Sequence, residues 1–538
     1  MHKRMNGDEA LAWGTLEAGV RIVTGYPGSP SSKVVGHLLR WAERYGVYVE
    51  WAINEKVALE EAMGASIGGR RALVCLKSVG MNVALDPLMV INLTGVHAGL
   101  VLLLGDDPGA WLSQNEQDTR LIARLAEVPL LEPSSPQEGK EMMAAAFALS
   151  EAHRTPVIVR EVRGFSGAEG LVPFSEPQPP QVESSTFPRG KMRWISTGVN
   201  AIRNHRKLHE KGKRIAEAFE ESPFNRREGT GEKGVIAAGF AYAKLREAIG
   251  SDFSGLSLLR LETLYPLPER TLIAFLKDVT EVLVLEENEP YLETAIQAVA
   301  YRAGVHTKIW GKLSGHIVRE GALQAKQIRE GLQRALGVGK REASEWDEEV
   351  APSSAQTALC EGCPYIPAFG ALKEAMRELD VEAVLTGDPG CTVRLLQPPV
   401  EMLDVKYAMG DSIGVAAGLH RAGVREKVIA VVGDSSFFHS AINGLINAVQ
   451  HRAKILVVVL DNGSAALTGF QPHPGSGRDA MGWEAPRIRI EDLARVCSID
   501  FVRVVDPDDF EETKTAFLEG LAREDLGVIV VRKPCPIA

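Results

Sequence analysis

The sequence predicts an α/β protein that consists of two doubly wound parallel-sheet domains with a third, smaller α/β domain between them. Short apolar runs alternate with helical stretches along most of the chain, which is typical of strands buried on both faces of a parallel sheet. Glycine-rich polar turns follow several of these runs. The length of 538 residues corresponds to about three domains of roughly 100 to 200 residues each.

Composition and charge narrow the class of protein. Hydrophobic residues make up 45% of the chain and charged residues 24%, which excludes disordered and fibrous classes. The formal net charge is -10 and no basic stripe with interleaved aromatic residues is present, so nucleic acid is not an expected partner. The N-terminus lacks an apolar core of signal-peptide length, and apolar runs such as Leu100 to Leu104 are too short to span a bilayer. We therefore expect a cytoplasmic protein without membrane contact.

The first domain is expected over residues 1–180. Its strands are the apolar runs in RIVTGYPGSPSS, ALVCLKSVG, GLVLLLGDDPG and TPVIVREV, with the helical stretch NEKVALEEAMGASIGG among them. A proline-rich segment and a charged stretch follow. We interpret residues 181–233 as a linker with one helix, because helical spacing persists around Ile215, Ala218 and Phe219.

Two further α/β segments complete the chain. Residues 234–340 are predicted to form the smaller domain, with the units GVIAAGFAYAKLREAI, LLRLETLYPLPERTLIAFL, EVLVLEEN and HTKIWGK. A polar linker over 341–358 precedes the last domain, 359–538. The strands of that domain are expected in AVLTGDPGC, KVIAVVGDSS, KILVVVLDNGS and GVIVVRKPC.

Two strong strands of the last domain deliver oxygen ligands at their carboxyl ends, where open parallel sheets bind ligands. A Mg²⁺ ion bound to a diphosphate prefers hard oxygen donors, which Asp434, Asn462 and the carbonyl of Ser464 could supply. Gly433 would let the backbone approach a phosphate, and the helix after Ser435 would direct its N-terminus at the anion. Either turn alone is common at strand exits. The two together, at this spacing, favour a site for a diphosphate with Mg²⁺.

These segments resemble one family over nearly the whole chain. GDSSFFHSAINGLINAVQHRAKILVVVLDN and TGFQPHPGSG resemble the diphosphate-binding domain of the large (alpha) subunits of indolepyruvate:ferredoxin oxidoreductases. GYPGSPSS, VEWAINEKVALEEAMGAS and DDPGAWLSQNEQD resemble the pyrimidine-binding domain of the same subunits. The resemblance implies two domains of the thiamine-diphosphate-binding type with a transketolase C-terminal-like domain between them. It places the site where the first and last domains meet, within one chain or across a dimer.

The resemblance also implies roles for residues of the first domain. Glu55 matches the glutamate that hydrogen-bonds the aminopyrimidine ring and promotes deprotonation of the cofactor. Without the resemblance, the alternative is that Glu55 is a helix N-terminal residue that forms a surface pair with Lys56. Ser29 matches a hydroxyl residue near the substrate carboxylate, and its alternative is a cap for the following helix. Gln114 and Asn115 belong to a loop that contacts substrate or another subunit, or to a polar loop with no chemical role.

Two further residues are expected near the cofactor, and the sequence departs from the family's pattern in two respects. His439 could donate to the diphosphate or to a reaction intermediate, or could simply pack within its helix. Gly410 completes the expected cofactor-binding residues. Ser78 stands where the family usually has a histidine, so any proton transfer or substrate contact made by that imidazole is missing or must come from another residue. The family's large subunits also continue into a ferredoxin-like domain with repeated C-x-x-C runs, whereas this sequence ends at CPIA, so we expect the usual electron exit to be absent.

The cysteines offer another route for electrons. Oxidation of a decarboxylated 2-oxo acid releases two electrons that thiamine cannot hold, so an acceptor must be near. Cys360 and Cys363 form a C-x-x-C pair, and Cys391 and Cys535 each follow a predicted strand. Related subunits hold a cluster with cysteines in similar places, and four thiolates are what a [4Fe-4S] cluster requires. A structural zinc site and four unlinked thiols remain the alternatives.

The predicted function is oxidative decarboxylation of a 2-oxo acid to an acyl-CoA, with electrons leaving through an iron-sulfur cluster. Aryl pyruvates such as indolepyruvate are the expected substrates and CoA the cosubstrate. A smaller beta- or gamma-type subunit and ferredoxin or another electron carrier are the expected partners, in a dimer or hetero-oligomer. The alternatives are a non-redox thiamine-diphosphate-dependent decarboxylase or carboligase, which would need no electron acceptor, and a non-catalytic scaffold, which would not bind the cofactor.

Overall fold

A computed structural model of the chain describes residues 2–177, 187–189, 193–250, 255–338 and 359–537. The predicted linker over 341–358 and part of the linker over 181–233 lie outside the described residues. Contacts divide the chain into two compact units, one formed by 1–50 with 55–349 and the other by 51–54 with 350–538. The predicted α/β fold class is confirmed, because each of the three large sheets is mostly parallel and is joined by helical crossovers.

The first unit contains a seven-stranded sheet that includes all four predicted strands of the first domain. Every residue of its central strand, Leu100–Asp106, is buried, as expected for a strand covered on both faces. In spatial order the strands are Thr263–Tyr265, Leu130–Leu131, Val157–Val162, Leu100–Asp106, Ala72–Lys77, Ile22–Gly25 and Tyr48–Trp51. The surrounding helices are Gly7–Glu17, Ser32–Tyr45, Glu55–Ile67, Met81–Thr94, Thr119–Ala126, Pro136–His153 and Arg163–Gly167. His2–Asn6 and Glu169–Pro173 form a separate antiparallel pair that the sequence did not predict.

The same unit contains a smaller, five-stranded sheet. Four of its strands are parallel, and Arg226–Glu228 pairs antiparallel at one edge. The strands in spatial order are Lys308–Trp310, Glu281–Leu285, Lys233–Ala238, Leu256–Leu261 and Arg226–Glu228. The helices of this part are Gly198–Glu220, Phe240–Ile249, Glu269–Lys277, Tyr291–Ala303 and Ala325–Leu336.

One strand of the smaller segment belongs to the larger sheet. The run LLRLETLYP reads as one unit in the sequence, yet the strand ends at Leu261 and a new strand, Thr263–Tyr265, pairs antiparallel with Leu130–Leu131. Glu262 is fully buried at the break, and its carboxylate accepts a hydrogen bond from the backbone N–H of Ser134 at 3.2 Å. The two sheets of this unit are therefore joined by backbone pairing as well as by side chains.

A buried ion network reinforces this junction. Arg120 contacts Asp118 at 2.6 Å and Glu286 at 2.7 Å, and all three side chains are at most 1% exposed. Arg160 contacts Asp106 at 2.7 Å and Glu132 at 2.6 Å, again without solvent exposure above 1%. Because a buried charge is costly unless it is paired, these contacts fix the mutual position of the strand ends that carry them.

The second unit contains a six-stranded, all-parallel sheet. Successive residues of its strands face opposite sides, so Ile429 and Val431 pack in one hydrophobic cluster while Val428 and Val432 pack in another. In spatial order the strands are Val405–Lys406, Ala383–Gly387, Lys427–Gly433, Leu456–Asp461, Gly527–Arg532 and Phe501–Val505. Its helices are Tyr365–Leu379, Asp411–Arg421, Asp434–Ser436, the π-turn Phe437–Ala441, Ile442–Gln450, Ile490–Val496 and Phe510–Leu521. In the described part of the chain, no helix has the length and apolar character needed to cross a membrane.

Candidate functional site

The carboxyl ends of two adjacent strands in the second unit bring the predicted metal ligands together. Asp434 directly follows the strand Lys427–Gly433, and Asn462 follows its neighbour, Leu456–Asp461. The Asp434 carboxylate is 2% exposed. Its Oδ2 accepts hydrogen bonds from the backbone N–H groups of Asn462 at 3.0 Å and Gly463 at 2.8 Å, and its Oδ1 accepts one from Ser435 at 2.7 Å. Three backbone donors therefore hold this carboxylate in place.

The side chain of Asn462 is also fixed by hydrogen bonds. Its Nδ2 donates to the hydroxyl of Tyr365 at 2.8 Å, and its Oδ1 accepts from the backbone N–H of Ser464 at 3.2 Å. The space beside Gly433 is open, since a Cβ there would meet no atom within 4 Å. The helical segment begins at Asp434 rather than after Ser435. A carboxylate, an amide oxygen and a strand-end turn without a side chain fit Mg²⁺ with a phosphate group.

His473 is a member of this site that the sequence reasoning did not single out. Its Nε2 lies 3.1 Å from Oδ2 of Asp434 and is buried without a hydrogen-bond partner. Its Nδ1 accepts a hydrogen bond from the backbone N–H of Gly475 at 3.0 Å, so a neutral ring carries its proton on Nε2, toward Asp434. The ring also packs against Phe438, with centroids 5.4 Å apart. In the sequence, His473 lies in the HPG of TGFQPHPGSG. No rule of residue spacing connects that segment with Asp434, so the sequence alone did not indicate the contact.

Gly410, at the start of the helix Asp411–Arg421, packs against the turn that carries His439 and Ser440. Gly410 has φ 82°, and a Cβ there would lie 2.1 Å from Oγ of Ser440, so the position requires glycine. Ser440 donates to the carbonyl of Met409 at 2.8 Å, and Nδ1 of His439 is 2.8 Å from the same hydroxyl. His439 is 5% exposed and is packed within its helical turn.

Asp388 supports the same turn from the end of the strand Ala383–Gly387. Its Oδ1 accepts from the backbone N–H of Ser412 at 2.9 Å, while its Oδ2 is buried without a hydrogen-bond partner. Burial raises the pKa of Asp388 to about 7. A carboxyl group in this position holds the start of the helix Asp411–Arg421 and retains a proton more strongly than an exposed aspartate.

The four cysteines predicted to act together are neighbours in the second unit. None forms a disulfide, and each of Cys360, Cys363 and Cys535 acts electrostatically on Cys391. Burial raises the pKa of Cys391 to about 11, against the opposing effect of Arg394. Arg394 also donates from Nη1 to Sγ of Cys360 at 3.1 Å. The group thus consists of four close thiols with one cation beside them.

Two kinds of metal site use four thiolate ligands, and they differ in the distance between the sulfur atoms. All four cysteines are among the described residues, and no three of their sulfur atoms lie within 4.8 Å of one another. A single Zn²⁺ ion with Zn–S bonds of about 2.3 Å would hold four sulfurs about 3.8 Å apart. Three sulfur atoms that close together are absent among these four residues, and four thiols are also the donor set of a [4Fe-4S] cluster.

Tyr365 contacts the predicted metal ligand Asn462 and lies near the cysteines. It begins the helix Tyr365–Leu379 directly after the C-x-x-C-P segment and is 3% exposed. Burial raises the pKa of the Tyr365 phenol well above its usual value, and the charges of Asp434 and Cys391 act in the same direction. Its hydroxyl accepts from Asn462, so one side chain contacts the predicted metal ligand and lies near the thiols. Sequence reasoning missed it because an aromatic residue after a C-x-x-C pair carries no specific signal.

In the first unit, Glu55 packs against a short turn that contains Gly80. Glu55 is the first residue of the helix Glu55–Ile67 and is 6% exposed. A Cβ on Gly80 would lie 2.4 Å from Oε1 of Glu55, so the turn Ser78–Gly80 packs directly on this carboxylate. Ser78, which replaces the family histidine, is therefore close to Glu55 in the chain fold. The carbonyl of Ser78 accepts from Nε2 of Gln117 at 2.9 Å.

The loop that carries Ser29 lies against the ends of two parallel strands. A Cβ on Gly28 would lie 2.7 Å from Cβ of Lys77, and one on Gly105 would lie 2.9 Å from Pro30. The alternative interpretation of Ser29 as a helix cap is wrong, because the following helix starts at Ser32 with Ser31 before it. Ser29 thus belongs to the strand-end loops of this sheet, where ligands bind in open α/β folds.

The loop with Gln114 and Asn115 is exposed at its tip and anchored at its base. Both side chains are exposed. Glu116 accepts hydrogen bonds from the backbone N–H groups of Gly109 at 2.6 Å and Gly321 at 3.0 Å. Asp118, the last residue of the DDPGAWLSQNEQD segment, pairs with Arg120 in the buried ion network.

Two families of known proteins match parts of this chain. Residues 388–531 match the family described as thiamine pyrophosphate enzyme, C-terminal TPP binding domain. Residues 13–178 match the family described as pyruvate flavodoxin/ferredoxin oxidoreductase, thiamine diP-bdg.

Curated relatives match nearly the whole chain. The chain is 36% identical to indolepyruvate oxidoreductase subunit IorA of Methanothermobacter marburgensis over 99% of its own length and 86% of the relative. It is also 36% identical to the subunit of the same name from Pyrococcus abyssi, covering 85% of that protein. A structure of 2-oxoglutarate:ferredoxin oxidoreductase from Magnetococcus marinus, with 2-oxoglutarate, coenzyme A and succinyl-CoA bound, aligns with a TM-score of 0.50 at 14% identity. That alignment covers 62% of this chain and 65% of the other, and it supports the fold alone.

Proposed function

The chain belongs to the family of indolepyruvate oxidoreductase subunits IorA, within the 2-oxoacid:ferredoxin oxidoreductases, and we propose that it binds thiamine diphosphate with Mg²⁺ and oxidatively decarboxylates an aryl pyruvate. The overall change is R–CO–COO⁻ plus CoA–SH to R–CO–S–CoA plus CO₂, one proton and two electrons. The names of the relatives support indolepyruvate as the substrate class. A thioester product is proposed by analogy with the Magnetococcus marinus enzyme, which binds coenzyme A and succinyl-CoA.

The observation that carries this proposal is the arrangement of Asp434. Three backbone N–H groups from two strand ends converge on one buried carboxylate, and the Asn462 amide and Ser464 follow within the same turn. We assign Asp434, Asn462 and the carbonyl of Ser464 as the residues that hold Mg²⁺. Gly433, Ser435 and Gly410 are assigned to the diphosphate.

Residues of the first unit are assigned to the rest of the cofactor and to the substrate. Thiamine diphosphate supplies the electron sink that decarboxylation of a 2-oxo acid needs. Glu55, which is buried at a helix N-terminus, is assigned as the carboxylate that hydrogen-bonds the aminopyrimidine ring. Ser29 is assigned to the substrate carboxylate, and Gln114 and Asn115 to substrate contact at the exposed loop tip. His439 of the second unit is assigned as a donor to the bound cofactor.

The cysteine group supports an iron-sulfur route for the electrons. We propose that Cys360, Cys363, Cys391 and Cys535 bind one [4Fe-4S] cluster, which would accept electrons one at a time. Arg394 would stabilise the thiolate of Cys360 through the hydrogen bond that it already donates. A smaller partner subunit and a ferredoxin-type carrier would receive the electrons; the word subunit in the names of the relatives supports an enzyme of more than one subunit.

Cofactor binding tests the assignment of Asp434. Thiamine diphosphate is titrated into the chain with and without Mg²⁺, and binding is followed by calorimetry. We expect Mg²⁺-dependent binding that Asp434→Asn weakens at least tenfold, because the variant keeps an acceptor for the backbone donors but loses the charge. The exposed Asp500→Asn serves as the matched control and should bind normally. Equal binding by both variants would remove Asp434 from the site.

Iron analysis tests the cluster. The chain is purified without oxygen, and iron and acid-labile sulfide are measured in the protein and in Cys391→Ser. We expect about four irons per chain and a visible absorption band that the variant loses. Cys497→Ser is the control, since Cys497 packs in the other hydrophobic cluster. Zinc in place of iron would support the structural-site alternative, and an iron-free chain with CO₂ release that needs no acceptor would support the non-redox decarboxylase.

A further inference from the structure

We propose that Glu127, His205 and His209 form a binding site for a divalent transition-metal ion such as Zn²⁺. The three residues lie in the first unit, and none of them belongs to the cofactor, substrate or cysteine groups assigned above. Among the described histidine, cysteine and acidic side chains, this is the one set of three whose ligand atoms all lie within 4.8 Å of one another.

Two separate elements place the ligands. His205 and His209 are four residues apart on the helix Gly198–Glu220, so their rings project from one face, with centroids 4.3 Å apart. Glu127 directly follows the helix Thr119–Ala126 and has φ 55°, which ends that helix and turns the chain. Its Oε1 is 2.6 Å from Nε2 of His205, and its Oε2 is 3.2 Å from Nε2 of His209.

The donor set selects the class of ion. Two imidazole nitrogens with one carboxylate suit Zn²⁺, Co²⁺ or Ni²⁺, whereas Mg²⁺ and Ca²⁺ prefer sites made of oxygen alone. Metal–nitrogen distances of about 2.0 to 2.1 Å would require the Glu127–His205 contact to open slightly. The two histidines are about half exposed, with side-chain exposures of 49% and 57%, so the rings can adjust and the ion can enter from solvent.

A cavity beside the three residues strengthens the proposal. Its volume is about 570 Å³, and Glu127 and His209 are both part of its wall. Leu208, Ile215 and Tyr265 contribute apolar surface to the same wall. With three protein ligands, a tetrahedral ion keeps one position for water or a small ligand, and the cavity provides space for it.

The ion would also join parts of the chain that are distant in sequence. The helix Gly198–Glu220 is anchored near its end by Glu220, which accepts from the backbone N–H of Arg270 at 2.8 Å, and in its middle by Lys211, which donates to the carbonyl of Arg154 at 2.8 Å. His205 and His209 supply the attachment nearer its start. A metal ion at this position would replace two hydrogen-bond contacts with three coordinate bonds and stabilise the first unit.

Cobalt titration tests the site directly. The full chain, without a histidine tag and freed of metal, is titrated with Co²⁺ while the visible absorption of the ion is recorded. We expect the double variant His205→Ala/His209→Ala to bind one Co²⁺ fewer than the unchanged protein, and Glu127→Gln to bind it at least tenfold more weakly. His306→Ala removes an exposed histidine outside the group and should bind the full amount. Absorption from cobalt on the cysteines is common to all variants and cancels in the difference.

A stability measurement provides the second readout. Zn²⁺ should raise the thermal midpoint of the unchanged chain and of His306→Ala relative to the double variant. Identical cobalt stoichiometry and an identical Zn²⁺ response in the double variant and the unchanged chain would overturn the proposal. Loss of one cobalt equivalent in the double variant alone would support it.

Discussion

Tyr365 is the residue where the structure adds most to the sequence reasoning. It accepts a hydrogen bond from Asn462, and the charges of Asp434 and Cys391 both act on its phenol. Nothing in the spacing of the metal ligands indicates it, because it comes from a helix that precedes them by a long stretch of chain. His473 was missed because no spacing rule links its HPG segment to Asp434. The strand-end residues Asp434 and Asn462 could be predicted, since a parallel sheet brings the carboxyl ends of neighbouring strands together.

The variant Tyr365→Phe tests this contact. It removes the acceptor for Nδ2 of Asn462, a partly buried amide, and the loss of such a hydrogen bond costs about 0.5 to 1.5 kcal/mol. We expect the Mg²⁺ concentration needed for half-maximal thiamine diphosphate binding to rise several-fold, with the fold intact. Tyr301→Phe is the control, because Tyr301 is 88% exposed. An unchanged Mg²⁺ requirement in Tyr365→Phe would show that the hydrogen bond does not position Asn462.

Asp388 makes the stability of the second unit depend on pH. Its pKa is raised to about 7 in the folded chain, so between about pH 4 and pH 7 the folded state holds a proton that the unfolded state has lost. The contribution of this group to stability therefore falls as pH rises through that window, by up to about 1.4 kcal/mol per pH unit, and is constant above it.

The variant Asp388→Asn removes this titration and keeps an acceptor for the backbone of Ser412. We expect its thermal midpoint, relative to that of the unchanged chain, to rise between pH 5 and pH 7. Scanning calorimetry at three pH values measures the difference. The exposed Asp500→Asn should show no such trend. A difference that stays constant with pH would mean that Asp388 is ionised throughout.

Among the strands, those buried on both faces could be predicted from the sequence. Lys427–Gly433 and Leu456–Asp461 are covered on both faces and read as continuous apolar runs. Phe501–Val505 is an edge strand with an exposed Arg503, and it was not predicted. Thr263–Tyr265 was predicted as part of the preceding apolar run. A three-residue strand is too short to show a hydrophobic period, and its partner, Leu130–Leu131, is distant in sequence.

The ion network that joins the two sheets of the first unit is expected to be sensitive to single changes. Arg120→Met leaves Asp118 and Glu286 buried without their cation, and breaking such a pair costs about 3 to 5 kcal/mol. We expect the thermal midpoint of this unit to fall clearly. Arg302→Met breaks only the exposed pair with Glu269 and should cost less than about 1 kcal/mol. Equal effects of the two variants would refute a stabilising role for the buried network.

For the molecule as a whole, the α/β fold class with several parallel sheets could be predicted from the apolar runs, whereas contacts divide the chain into two compact units. The sharing of a strand between two predicted segments could not, because β-pairing between distant segments leaves no local pattern. Family membership links these parts to 2-oxo acid oxidation, and the proposed cluster on the four cysteines would give the electrons a route out of the site. We therefore expect substrate decarboxylation by this chain to be coupled to electron transfer.

The most direct measurement is CO₂ release from ¹⁴C-carboxyl-labelled indolepyruvate by the chain together with its partner subunit, under anaerobic conditions. The assay contains thiamine diphosphate, Mg²⁺ and CoA, with or without a low-potential electron acceptor. We expect turnover and acyl-CoA formation only when the acceptor is present, with one CO₂ released for every two electrons transferred. Sustained CO₂ release at the same rate without any acceptor, and without acyl-CoA, would contradict it.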